Sequence, residues 1–403
     1  MSHPMPLNHA NVEAIPADPG GSPDARLRAW LIDVALPRWL EIAADPRGGF
    51  HETVTFEGAP GDADKRLRTM ARQTWAFATA ATFGWHAERS RALAEHGFAF
   101  LTGPAAGSGS AFAKTFHPDG RVKDATRDAY DHAFVLFASA ACHRAGIDGA
   151  RELGETVRAV LKRDFALGAD RGYREIAGPD VVSSDLTTGD AERRANPHMH
   201  LLEAFTAWHR ATGCAASLAD AHALADLFEA HFYDPATWSV REHVDADLNP
   251  LHGARGDIRE PGHAAEWAWL LHDLDPDNAA RRDIGIRLIT MARRIGLNPH
   301  TGLPRHEITA AGVPLQGHSR IWSQTEMIRA LCMLIWSSVD AGEVSAATQE
   351  AHAAVNLLFS HYIDPAPAGL WIDTLAPDGS AVSQTVPASI LYHLMTPVVA
   401  YTR

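Results

Sequence analysis

The sequence predicts an all-α fold, an (α/α)6 barrel: a toroid of twelve helices with short β-hairpins at one rim. Two observations predict it. A Gly- or Trp-containing, strand-like phrase occurs six times: GGFHETV at Gly48, PDGRVKDA at Pro118, RGYREIA at Arg171, TWSVREH at Thr237, TGLPRHE at Thr301 and AGLWIDT at Ala368. An apolar, helix-like segment follows each phrase, and Arg72, His132, Asn196, His263, Gln324 and Pro387 mark these segments at intervals of roughly 60 to 67 residues. That period is too long for the common solenoids. It fits a helix, a connection, a second helix and a hairpin, because antiparallel neighbouring helices need only short connections.

The elements follow in chain order. Residues 1–24 are dominated by Pro, Gly, Asn and Asp and are expected to form a flexible tail; residues 25–403 are expected to form one barrel domain. The inner helices are expected in MARQTWAFATAATF, DAYDHAFVLFASAACH, NPHMHLLEAFTAWHR, PGHAAEWAWLLHDL, IWSQTEMIRALCML and PASILYHLMTPVVA. Stretches such as ARELGETVRAVLKRDF and SLADAHALADLFEAHF supply outer helices. Asn196 reads as an N-cap with Pro197 as the first helical residue. Gly262 ends a loop so that His263 opens the next helix, and Pro387 starts the last one.

Composition narrows the function. The chain has 403 residues, 46% hydrophobic and 21% charged, with a formal net charge of −13. An acidic chain with no run of Lys or Arg is a poor partner for nucleic acid or an anionic membrane. Neither a secretory signal nor a membrane-spanning apolar stretch is visible. The three cysteines, Cys142, Cys214 and Cys332, are odd in number and far apart, as expected of reduced thiols in a cytoplasmic protein.

Each repeat places polar groups where an inner helix begins. Helical spacing puts Asn196, His200 and Glu203 on one face, with His198 about 200° away from His200. His263 pairs with Glu266, Ser389 with His393, Trp322 with Glu326 near Gln324, and Arg72 with Trp75. Tyr130, Asp131 and His132 open the second segment. No pair of histidines has the spacing of four that a helical zinc site needs, so no metal is expected. A ring would gather these groups around one mouth. Aromatic faces, amides and charges suit a sugar, and imidazoles suit reversible proton transfer. Histidines also serve as packing groups, which is an equal reading for His132 and His198 and the expected one for His209, His231, His352 and His361. Trp267 and Trp269 are expected in the core.

The segments NPHMHLLEAF, PGHAAEWAWLL, RIWSQTEMIRA and VPASILYHL resemble the N-acylglucosamine 2-epimerase family over roughly residues 25–400. The resemblance implies an (α/α)6 barrel and proton transfer without metal or other cofactor. It implies His263 and His393 as the two acid/base groups, His200 as a helper at the anomeric oxygen and Arg72 as the stabiliser of an enediolate oxygen. It implies Tyr130, Asn196, Glu266, Trp322, Gln324 and Glu326 as sugar contacts. Relatives acting on disaccharides carry a Pro-Tyr-His type motif around the last histidine. PASILYHL is instead similar to the mannose isomerase and mannose 2-epimerase branch, although Ser389 stands where some relatives have a longer polar side chain.

The resulting expectation is an aldose–ketose isomerase converting D-mannose to D-fructose, with 2-epimerisation as the alternative outcome. A phosphate site would want clustered Arg or Lys. Only Arg255 and Arg259, in the loop before His263, stand out, so a free monosaccharide is expected. The resemblance implies a monomer or a homodimer. The rivals are an (α/α)6 glycoside hydrolase, for which Glu203, Glu266 and Glu326 offer carboxylates, and a non-catalytic carbohydrate-binding protein.

Overall fold

The computed structural model describes residues 23–107, 112–168, 170–177 and 192–401. The tail expected at residues 1–24 lies, up to residue 22, outside the described residues. Thirteen α-helices are described: α1 (Pro23–Trp30), α2 (Leu36–Ile42), α3 (Leu67–Thr82), α4 (Ala87–Thr102), α5 (Ala129–Arg144), α6 (Ala150–Val160), α7 (Ala195–Thr212), α8 (Ala215–Leu227), α9 (Pro261–Leu274), α10 (Ala279–Ile295), α11 (Ile321–Ser337), α12 (Ala341–Leu358) and α13 (Ile390–Tyr401).

The odd helices from α3 to α13 each touch the next, and α13 touches α3, which closes an inner ring of six. Helices α4, α6, α8, α10 and α12 pack outside their predecessors. The sixth outer position belongs to α1 and α2, joined by a π-helical turn at Leu31–Ala35 and packed against α12, α13 and α4. Three other outer helices, α6, α8 and α12, also run into a five-residue π turn, at Leu161–Phe165, Phe228–Phe232 and Phe359–Ile363.

Sequence chemistry separates the two layers. Helix α5, AYDHAFVLFASAACHR, is buried on nearly every side, as a helix apolar or small all round must be. Helix α6, ARELGETVRAV, buries Ala150, Leu153, Gly154, Val157 and Val160 and leaves its charges outside. Gly154 has a packing reason: a Cβ there would lie 2.1 Å from the Trp208 ring of α7.

The hairpins join neighbouring repeats. The strand leading into each inner helix pairs antiparallel with a strand after the adjoining outer helix. The pairs are Lys65–Arg66 with Thr115–Phe116, Arg127–Asp128 with Ile176–Ala177, Glu192–Arg194 with His243–Asp245, Ile258–Arg259 with Glu307–Thr309, and Ser319–Arg320 with Thr374–Leu375. The sixth, Val386–Pro387 with Thr53–Val54, links the last repeat to the first. Trp39 strengthens that seam, stacking on Trp371 at 4.8 Å and donating its indole N–H to the Gly369 carbonyl at 3.1 Å.

Helix starts differ from expectation by two or three residues. Asn196 is not the N-cap of α7, which begins at Ala195 with Arg194 before it. Pro387 lies in the closing strand, and α13 begins at Ile390. In both places the strand pairing of the preceding residues decides where the helix begins. No helix among the described residues is long and apolar enough to cross a membrane. All three cysteines are free thiols, with Cys142 and Cys332 buried.

Candidate active site

The N-terminal ends of the six inner helices surround a cavity of about 440 Å³. Small-molecule sites commonly occupy roughly 300–1,000 Å³. Every inner helix contributes: Arg72 from α3, Tyr130 from α5, Asn196 and His200 from α7, His263 and Glu266 from α9, Trp322 from α11, and His393 from α13, with Ser389 from the turn just before it. Helix N-termini carry positive partial charge, so their convergence favours negative charge in the cavity.

The two histidines of NPHMHLLEAF separate as their angle on the helix requires. His198 is a packing residue: its Nδ1–H donates to the Arg194 carbonyl at 2.8 Å, and its Nε2 accepts from the Tyr173 amide at 3.1 Å. Burial depresses its pKa to about 4. His200 lines the cavity and donates Nδ1–H to Glu203 at 3.2 Å; its Nε2 lies 3.9 Å from Glu266. His132 is also a packing residue, bonded through Nδ1 to the Asp128 carbonyl at 2.7 Å.

His263 and His393 are each backed by a carboxylate. The Nδ1–H of His263 donates to Glu242 at 2.8 Å, with Glu260 at 3.6 Å. The Nδ1–H of His393 donates to Glu326 at 2.8 Å. A carboxylate can only accept, so each imidazole keeps its second nitrogen, Nε2, for the cavity. The Trp322 ring lies 5.2 Å from the His263 ring and 5.9 Å from that of His393.

Their surroundings drive the two imidazoles apart. Burial opposes charge on His263, but Glu260 and Glu242, with Glu266 farther along the helix, override it and raise its pKa to about 10. Burial, Arg72 and His200 hold His393 well below the ordinary value. Of this pair, His263 thus favours the imidazolium and His393 the neutral imidazole.

Behind His393 lies a buried charge network. Arg329 donates to Glu326 at 2.7 Å and to Glu203 at 3.4 Å, and Tyr392 donates its hydroxyl to Glu203 at 2.7 Å. One guanidinium cannot neutralise three neighbouring carboxylates. Burial works against charge on Glu203, yet His200 and Arg329 bring its pKa down well below the ordinary value. Burial and neighbouring carboxylates raise the pKa values of Glu266 and Glu326, and Glu266 Oε1 is buried without a protein partner. Glu266 thereby offers an unpaired carboxyl oxygen to a ligand hydroxyl.

Arg72 is buried, with its guanidinium 4.1 Å from the Phe134 ring centroid and one N–H on the Tyr130 hydroxyl at 2.7 Å. Its Nε has no hydrogen-bond partner. The Asn196 carbonyl oxygen is likewise unpaired beside the cavity.

Two residues expected to touch sugar do not line the cavity. Gln324 faces outward and donates to the Ala354 carbonyl of α12 at 2.7 Å, because its position turns it from the face that carries Trp322 and Glu326. Glu326 is fully buried behind His393 and orients it. The expectation of no cationic cluster also needs correction. Arg66, Arg68, Lys114, Arg194 and Arg320 line the cavity, each paired with a carboxylate. Arg255 instead pairs with Glu192, and Arg259 is buried against Ser239. Residues that the sequence reading passed over include Glu242, Glu260, Arg329, Tyr392 and His306. A charged residue just before most inner helices (Arg66, Asp128, Arg194, Glu260, Arg320) was the available signal.

In each of two sets of donors, His200–Glu203–Glu266 and Glu242–Glu260–His263, the three potential ligand atoms lie within 4.8 Å of one another. A cation would have to displace Tyr392 and Arg329 from Glu203, or His263 and the Glu260 amide from Glu242.

The model of the N-acylglucosamine 2-epimerase family matches residues 48–397. The chain belongs to the N-acylglucosamine 2-epimerase family. A mannose-6-phosphate isomerase of Rhizobium meliloti (strain 1021) is 32% identical over 388 residues, covering 92% of this chain and 94% of the relative. A D-mannose isomerase of Pseudomonas cannabina pv. alisalensis is 29% identical, covering 79% of this chain and 78% of the relative. The crystal structure of a D-mannose isomerase superposes with a TM-score of 0.82 at 22% identity, over 94% of this chain and 97% of that one. This likeness shows that the (α/α)6 barrel is shared by this member of the N-acylglucosamine 2-epimerase family.

Proposed function

We propose that this enzyme is an aldose–ketose isomerase that converts D-mannose to D-fructose. The observation that carries the reading is the pair of cavity-facing imidazoles, each held through Nδ1 by a carboxylate, in surroundings that push their pKa values in opposite directions. Neutral His393 takes the C2 proton of the open-chain aldose. The electron pair moves into the C1–C2 bond and leaves negative charge on O1. Arg72 and the His263 imidazolium stabilise that charge, in a cavity already favourable to anions. His200, with Nδ1 on Glu203, assists opening of the sugar ring. Proton return to C1, with the O2 proton passing to O1, gives the ketose; return to the opposite face of C2, with O1 becoming the carbonyl again, gives the epimer. Tyr130, Asn196, Glu266 and Trp322 hold hydroxyls and the ring face.

Proton NMR of the enzyme with D-mannose in D2O tests this. Fructose as product, with or without deuterium at C1, supports isomerisation. Glucose deuterated at C2 moves the reading to 2-epimerisation. With D-mannose as substrate, no product and no exchange would refute it.

The cations lining the cavity favour a second reading, mannose 6-phosphate, and the Rhizobium relative bears that substrate in its name. Against it, Arg66, Arg68, Lys114, Arg194 and Arg320 each already have a carboxylate partner. A kcat/KM higher for the phosphorylated sugar and falling with salt would select the second reading.

A further inference from the structure

The hairpins carry a recurring device. Glu52 accepts the backbone N–H of Arg66 at 3.0 Å, Glu175 accepts that of Arg194 at 2.6 Å, and Glu242 accepts that of Glu260 at 3.2 Å. Each donor is the residue just before an inner helix. The backbone carbonyls of Glu175 and Glu242 accept from Ala129 and Ala195, the first residues of the preceding inner helices. These glutamates thus staple consecutive repeats at the helix entrances.

In two copies the arginine occupies the staple. Arg66 Nε bonds Glu52 and Arg194 Nε bonds Glu175, in addition to their backbone amides. In the copy that enters α9 the residue is Glu260, which has no donor to offer. Three residues on, His263 takes the vacant carboxylate oxygen. The equivalent residue in the first copy is Thr69, whose hydroxyl donates to Glu52 at 2.8 Å. The site before α9 therefore departs from the repeat at two positions, and both departures serve one imidazole.

We propose that Glu242 is a positioning residue for His263, released from a purely structural staple by Glu260 standing where the other copies have arginine. The inference rests on the reading of His263 as an acid/base group. Glu242 holds Nδ1–H and directs Nε2 into the cavity. Glu260 lies between His263 and His306, 3.6 Å from one and 3.7 Å from the other. The other titratable groups facing His263 are Glu266 on its own helix and His200 on α7. The net negative surroundings keep His263 charged, consistent with its raised pKa.

Two variants of the full-length protein test this. Glu242→Gln keeps the shape of the staple and removes its charge. Glu260→Arg rebuilds the arrangement of the other copies and draws Glu242 away from His263. Nitrogen-15 NMR of histidine-labelled protein follows His263 titration independently of turnover, and kinetics with D-mannose follow kcat and KM. The expected result is a His263 titration moved to lower pH in both variants. In both, kcat should fall by about ten- to a hundredfold, as for loss of a carboxylate orienting an imidazole, with KM changed by less than about threefold. Glu260→Arg should do so without loss of thermal stability, which a merely structural role for Glu242 would not produce. Unchanged titration of His263 in both soluble variants would overturn the proposal. A shifted titration in a protein that turns over no sugar would sustain the positioning role and sink the functional reading instead.

Discussion

Replacing Arg329 with Met removes the cation of the buried network while leaving an unbranched chain of similar bulk. The side chain is 6% exposed and pairs with Glu326 at 2.7 Å and Glu203 at 3.4 Å. Taking away one partner of a buried ion pair costs about 3–5 kcal/mol, because the remaining charge stays desolvated. At about 2.1 cal/mol/K per residue of unfolding entropy, a 403-residue chain should lose about 4–6 °C in melting temperature. Differential scanning calorimetry measures this directly. The same substitution has a kinetic signature. Arg329 is among the positive charges that depress His393, so its loss raises the His393 pKa and moves the acid limb of the kcat profile to higher pH. A melting temperature within about 1 °C of the parent, together with an unmoved acid limb, would refute the role given to this network. Adding Glu326→Gln should recover part of the lost stability, since it removes one stranded carboxylate.

His263→Ala and His393→Ala should each lower turnover by at least about a hundredfold, with helical circular dichroism retained; parental activity in either would remove that residue from the mechanism. The kcat profile should show no limb from His393 or His263 across neutral pH, where Glu260, raised by burial to about 7, is the group beside His263 that titrates. A base with its pKa depressed below 6.5 stays neutral there, and an acid raised to about 10 stays charged until strongly alkaline pH. A bell centred near pH 6.5 would contradict this assignment. Gln324→Ala should cost about 1 kcal/mol by removing the hydrogen bond to the Ala354 carbonyl while leaving KM within about twofold. A large rise in KM would return Gln324 to the sugar.

The ring was legible because period and pattern are local properties: six Gly- or Trp-bearing phrases and six apolar segments survive in one dimension. Facing was legible too where it depended on helical angle alone. His200 and His198 part company as 200° requires, and Ser389 shares its face with His393. Gln324 was misread because its distance from Trp322 was judged along the chain rather than round the helix. Glu242 could not be found this way. It lies 21 residues before His263 and reaches it only through a hairpin whose partner strand comes from the preceding repeat. The cations were missed for a related reason. Arg66, Arg68, Lys114, Arg194 and Arg320 are scattered through the chain, and only closure gathers them. Arg255 and Arg259, close to His263 in sequence, turn to Glu192 and Ser239 instead.

The pairing of Val386–Pro387 with Thr53–Val54 makes the molecule a hoop rather than a stack. A stack can lose or gain an end unit at the cost of one interface; a hoop cannot, because every unit has two neighbours and no unit is terminal. Its diameter is set by the number six, and with it the spacing across the cavity. Divergence within such a frame proceeds by exchanging side chains at the mouth, not by adding repeats. The first and last of the described helices, α1 and α13, also meet at one seam. A link from α13 to α1 with a cut at another rim loop would therefore leave the hoop intact, each new order of repeats enclosing the same six helix ends.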